Sequence, residues 1–109
     1  MNEIERKIVW AAIEDYAGLW ELIWEISSLN PKIPQLENIK VVKEIIKKYI
    51  DNDIIDIYEN IWGEKEYFLV QNNLQLLNQS SFWEPPLLGE KCLTISCTGK
   101  GIEYYNSFQ

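Results

Sequence analysis

Residues 37–58, Glu-Asn-Ile-Lys-Val-Val-Lys-Glu-Ile-Ile-Lys-Lys-Tyr-Ile-Asp-Asn-Asp-Ile-Ile-Asp-Ile-Tyr, change their hydrophobic period in mid-run, and any fold must accommodate that change. Ile39, Val42, Ile46 and Tyr49 recur at steps of three and four, the spacing of one helical face. Val41, Ile45 and Ile50 widen it into the stripe of a core-packed helix. Lys40, Lys43, Glu44, Lys47 and Lys48 fall on the opposite side. Asp51-Asn52-Asp53 stops the helix, because these side chains bond locally to backbone and tolerate turn conformations. Ile55 and Ile57 then alternate with polar positions, the pattern of a half-buried strand over 54–58.

The segments before this stretch read as two more helices. Over 3–16 the apolar stripe is Ile4, Ile8, Val9, Ala12, Ile13 and Tyr16, and Gly18 either closes this helix or bends a longer one. Over 19–28, Leu19, Leu22, Ile23 and Ile26 continue the helical spacing. Trp20 and Trp24 stand one turn apart on an adjacent flank beside Glu21 and Glu25. That pair has two readings, core packing or an exposed aromatic patch with an acidic rim. Pro31 and Pro34 break the chain before the third helix.

Beyond residue 58 the signals weaken. Trp62-Gly63-Glu64 offers a turn, 66–70 a second strand with poor alternation, and 71–79 a short helix through Leu74, Leu76 and Leu77. Residues 80–91 read as a loop around Pro85-Pro86, and 92–97 as the last strand. Thr98 is suited to cap a closing helical turn through Tyr105. Core expectations follow from these faces: Ile8, Ile13, Leu22, Ile26, Val42, Ile46 and Ile57 should be nearly fully buried.

At 109 residues the chain is the size of one domain, and 47% hydrophobic residues suffice for a core. The formal net charge of −7, with Arg6 the one arginine, opposes loose binding to polyanions and favours a basic partner. The opening Met-Asn-Glu-Ile-Glu-Arg lacks a secretory pattern and no apolar run suits a membrane span, so a cytoplasmic protein with no membrane partner is expected. Cys92 and Cys97, an odd spacing apart on one strand, lie on opposite faces and should be reduced, inert thiols.

The chemistry of catalysis is missing. There is no histidine, the commonest general base and metal ligand. Two cysteines are too few for a structural zinc site, and Gly99-Lys100-Gly101 lacks the flanks of a phosphate loop. Acidic pairs such as Glu14-Asp15 and Asp51/Asp53 are explained by helix-end and turn chemistry. A non-enzyme with no cofactor and no metal is therefore expected.

Asn52-Asp53-Ile54-Ile55-Asp56-Ile57 is similar to the passage from third helix to first wing strand in winged-helix proteins, and Thr98-Gly99-Lys100-Gly101-Ile102-Glu103 to their strand-to-helix ending. Residues 3–58 and 92–105 together resemble a winged-helix domain. The resemblance implies an α+β fold with three N-terminal helices, a small antiparallel sheet, and 62–91 as an enlarged wing or insertion within a single domain, 1–109. It also implies that residues 37–50 occupy the place of a recognition helix, which makes Lys40, Lys43, Lys47 and Lys48 candidate phosphate contacts in a homodimeric DNA-binding regulator. The wing departs from that pattern, with Asp56, Glu59, Glu64 and Glu66 against Lys65 alone. The charge favours a different function: an acidic protein-binding module, of the inhibitor or immunity type, that engages a basic protein through Trp20, Glu21, Trp24, Glu25, Glu59, Glu64 and Glu66.

Overall fold

A computed structural model describes residues 1–70 and 74–108. The first helix, α1 (Glu3–Glu14), opens on a reciprocal cap: Asn2 Oδ1 accepts from the Glu5 amide at 2.8 Å, and Glu5 Oε1 accepts from the Asn2 amide at 3.3 Å. The helix ends at Glu14, two residues earlier than its apolar pattern predicts. The cause is Asp15, whose carboxylate captures the Tyr16 amide at 2.7 Å and draws the backbone into an extended course.

Ala17–Gly18 then forms a short strand, β1, where the sequence offered only a bend or a helix end. The ring of Trp20 folds back over Gly18, so that a Cβ there would displace the indole. Helix α2 (Leu19–Leu29) follows at once, and after the Pro31–Pro34 break comes α3 (Gln35–Asp51). Val42, Ile46 and Tyr49 of α3 are buried as their spacing requires, whereas Val41 is exposed and lies outside the stripe. Ile13 is likewise only half-buried and Tyr16 exposed, so α1 packs a narrower face than its apolar residues suggest.

The acidic break works as a turn. Asn52 Nδ2 donates to the Lys48 carbonyl at 2.9 Å, and Asp53 takes a left-handed φ of 59°, a conformation Asn and Asp tolerate better than most residues. Strand β2 (Ile55–Ile61) emerges from it and pairs antiparallel with β4 (Lys91–Cys97), Ile57 opposite Ile95. The two-residue β3 (Phe68–Leu69) adds to β2, and β1 adds to β4, giving the order β1-β4-β2-β3. Thr98 accepts from the Gly101 amide at 2.9 Å and caps α4 (Gly99–Asn106). Gly101 has no room for a side chain, being pressed against the Ile54 carbonyl and Cys97 Sγ. Among the described residues the fold is thus α+β, four α-helices with one four-stranded antiparallel sheet.

Ile55, Ile57, Leu93 and Ile95 share one core with Ile8, Val9, Leu22, Ile26, Val42 and Ile46. The strand period puts Asn60, Cys92 and Thr94 on the other face, where they are also buried. Cys92 donates from its thiol to Asn60 Oδ1 at 3.3 Å, and the Thr94 hydroxyl has no hydrogen-bond partner among the described residues. Both cysteines are free, and burial pushes both thiols upward, away from thiolate.

The expected loop at 80–91 is corrected at its start. Ser80–Trp83 is a 3₁₀ turn, preceded by another over Leu74–Asn78. Together they insert Leu77, Phe82 and Trp83 into the core, with Trp83 Nε1 donating to the Leu77 carbonyl at 2.8 Å. The expected helix over 71–79 is realised as that first turn from Leu74 onward, and residues 71–73 lie outside the described ones. The second strand is shorter than 66–70, pairing with β2 only at Phe68 and Leu69.

Candidate functional site

Helix α2 buries Leu22, Ile23 and Ile26 and turns its other flank outward. Because residues four apart lie one above the other, Trp20 and Trp24 form the floor of a groove on that flank, with Glu21 and Glu25 beside them. Pro85, from the chain after the 3₁₀ turns, supplies the opposite wall, and the groove encloses about 490 Å³. Trp24 is 77% exposed. Trp20 is half-buried between the backbone of Gly18 and the indole of Trp62, which meets it edge-on with centroids 5.3 Å apart.

Both carboxylates of the groove are anchored. Glu21 Oε1 accepts from the Gly18 amide at 3.1 Å, and Glu25 pairs with Lys7 at 3.3 Å. Anchoring leaves each carboxylate with free lone pairs at a fixed position beside an aromatic floor. Such a site offers an incoming cation both a π face and an anion, while a lone Glu on a mobile side chain offers only the second.

Of the seven residues expected on an acidic binding face, the structure brings together Trp20, Glu21, Trp24 and Glu25. It leaves Glu59, Glu64 and Glu66 out of the groove. Glu59 pairs across the sheet with Lys91 at 3.2 Å. Glu64 and Glu66 follow the turn at Gly63 and are exposed. Sequence reasoning missed Pro85 and Trp62, and also the exposed Leu87 and Leu88 that follow Pro85 and Pro86 along the chain. The signal was present in Pro-Pro-Leu-Leu at 85–88, a run of apolar residues in a loop with no helical or strand period to bury them.

The lysines of α3 have a different environment. Lys47 lies 3.8 Å from Glu44 and Lys48 3.5 Å from Glu5, while Lys43 donates to Asn78 Oδ1 at 3.2 Å. Lys40 has no ion pair among the described residues. Beneath them Glu5 Oε2 accepts from the buried Tyr49 hydroxyl at 2.7 Å. That hydrogen bond first, and the Asn2 amide and the Lys48 ammonium after it, hold the Glu5 carboxyl below its ordinary value against the opposing effect of burial. Burial and the same carboxylate push the Tyr49 phenol far upward. Lys48 and Tyr49 therefore tie the C-terminal end of α3 to Glu5 of α1, while Lys43 reaches Asn78 and Lys47 pairs within α3.

Among the described residues, no three or more His, Cys, Asp or Glu side chains cluster as metal ligands, and no helix is long and apolar enough to cross a membrane. No family model, curated protein or solved structure matches the chain.

Proposed function

We propose that this chain is a non-enzymatic protein-binding module, of the inhibitor or immunity type, that engages a basic protein surface through the Trp20–Trp24–Pro85 groove. The observation that carries this reading is the exposure of Trp24 within a groove that also holds Glu21 and Glu25. An exposed indole keeps a large apolar area in water, and its burial against a partner is a strong source of affinity. The fixed carboxylates and the net charge of −7 select a cationic partner and speed its approach. An arginine stacked on Trp24 and reaching Glu25 would satisfy both features of the groove.

We further infer a winged-helix-like architecture in a single domain. Its support is the passage of α3 through the Asp51–Asp53 turn into β2, the antiparallel return of β4, and the exit of β4 through Thr98 into α4. On this reading the segment 62–91, described at 62–70 and 74–91, is the enlarged wing or insertion. It differs from a simple wing hairpin by turning back to bury Phe82 and Trp83. The DNA-binding alternative is the weaker one, because a net charge of −7 opposes binding to a polyanion.

The test uses two peptide probes, one rich in Lys and Arg and one of the same length rich in Glu, titrated while the five indole N–H signals are followed by NMR. The basic probe should shift the Trp20 and Trp24 signals, and Trp24→Ala should weaken its binding. Shifts confined to other indoles, or equal responses to both probes, would refute the reading.

A further inference from the structure

The outward face of α1 carries an arrangement that shares only Glu25 with the groove on α2. Glu3, Arg6, Trp10 and Glu14 recur at steps of three and four, and all four are exposed. Trp10 is 46% exposed and rests on Tyr105 of α4, with ring centroids 5.6 Å apart. The small side chain of Ala11 lies next to it, and these residues line a shallow concavity of about 330 Å³. Lys7, on the same face, is already held by Glu25. Arg6 and Glu14 have no ion pair among the described residues.

Their positions are related. Arg6 lies one turn before Trp10 and Glu14 one turn after it, about 12 Å apart along the axis, too far to pair within one helix. A two-fold axis through Trp10 reverses the helix and sets the one against the other. We propose that this face of α1 is the contact between two copies of the chain, antiparallel about Trp10, each Arg6 facing the partner's Glu14. A two-fold contact must be complementary to itself, and a cation and an anion placed symmetrically about an aromatic centre meet that condition. Trp10 and Tyr105 from both copies form the apolar middle, Ala11 permits close approach of the helices, and the two ion pairs form the rim. The overall negative charge opposes association of like copies, so the local pairing of charge decides whether it occurs.

Sedimentation equilibrium of the full chain tests this, with circular dichroism to check that each variant is folded. The wild type should form dimers with a dissociation constant below about 100 µM. Arg6→Glu, and separately Glu14→Arg, should each weaken self-association by roughly tenfold or more, since each faces like charges across the axis. Mixed in equal amounts, the two variants should form a heterodimer, because every facing pair is then of opposite sign. Combining both substitutions on one chain should likewise restore self-association. A monomer throughout this concentration range overturns the proposal. So does a dimer indifferent to Arg6→Glu, or a mixture of the two variants that fails to associate.

Discussion

Helices α2 and α3 are both amphipathic, and their outer faces differ in kind. The outer face of α3 carries four lysines, three of which meet Glu44, Glu5 or Asn78. That of α2 carries two indoles, one of them mostly in water. Charged heads are satisfied by water or by a neighbour at little net cost, so a row of them demands no partner. An indole in water retains an unfavourable apolar area that nothing within the chain relieves. The difference teaches that exposed apolar area says more about a missing partner than exposed charge does. A charge pattern is read easily from sequence, yet the lysines of α3 demand no partner, and the apolar area that α3 exposes lies instead at Leu36 and Val41.

The comparison requires first that each helix be anchored by its inner face. Ile46 of α3 is 0% exposed, and truncation to Ala should lower stability by about 2–5 kcal/mol. Chemical denaturation measures this directly, and a loss below about 1 kcal/mol would mean that α3 is not held by that face.

Next in size is the internal pairing that fastens α3 to α1. Removing the Tyr49 hydroxyl with Tyr49→Phe should reduce stability by about 1.5–3 kcal/mol near neutral pH, the range for hydrogen bonds to charged groups. The sign of the pH dependence follows from Glu5, whose carboxyl is held below its ordinary value in the fold. Its contribution is present above the pKa of the unfolded chain and is lost as pH falls through the folded one. The difference between wild type and Tyr49→Phe should therefore shrink on going from about pH 7 to about pH 3. A gap that stays constant with pH would show that the hydroxyl acts through packing alone.

Trp24→Ala sharpens the contrast from the other side. If the α2 groove serves a partner, the isolated protein should change by less than about 0.5 kcal/mol, as other exposed substitutions do. Binding of the basic probe should fall in the same variant. A large loss of stability would assign Trp24 to the fold and remove the main support for the groove.

The parts legible in the sequence are those where a period persists. Val42, Ile46 and Tyr49 repeat long enough to define a face, and Asp51-Asn52-Asp53 is a turn by its own local chemistry. Strand β1 was not legible, because two residues carry no period and their pairing with Thr94 and Ile95 lies far along the chain. The same reason hid Phe82 and Trp83, which are buried by a 3₁₀ turn meeting distant elements. At the groove, the i, i+4 spacing of Trp20 and Trp24 predicted their adjacency. Whether that flank faced core or water depended on where Pro85 and Trp62 came to rest, and those contacts are tertiary. The charge of Glu59 is legible in the sequence, but its diagonal pairing with Lys91 depends on the β2–β4 register, in which Glu59 lies opposite Leu93.

The smallest effect is expected where the lysines would have had to act. To read DNA, Lys40, Lys43, Lys47 and Lys48 must replace counterions along a phosphate backbone, and binding would then fall with salt at a log–log slope of roughly −0.9 per phosphate neutralised. Each paired lysine must first leave its internal partner, and Lys48 would leave Glu5 without its nearby cation. Glu44 lies within the same row and would approach the phosphates with like charge. The chain as a whole is repelled as well, at a net charge of −7. We therefore expect no measurable affinity for mixed-sequence duplex DNA at physiological salt, and no difference between wild type and the Lys43→Glu, Lys47→Glu double variant. Fluorescence anisotropy with a labelled duplex at low and moderate salt reads both quantities. Micromolar binding that declines steeply with salt and vanishes in the double variant would reverse the ranking of the two faces, making α3 the functional one.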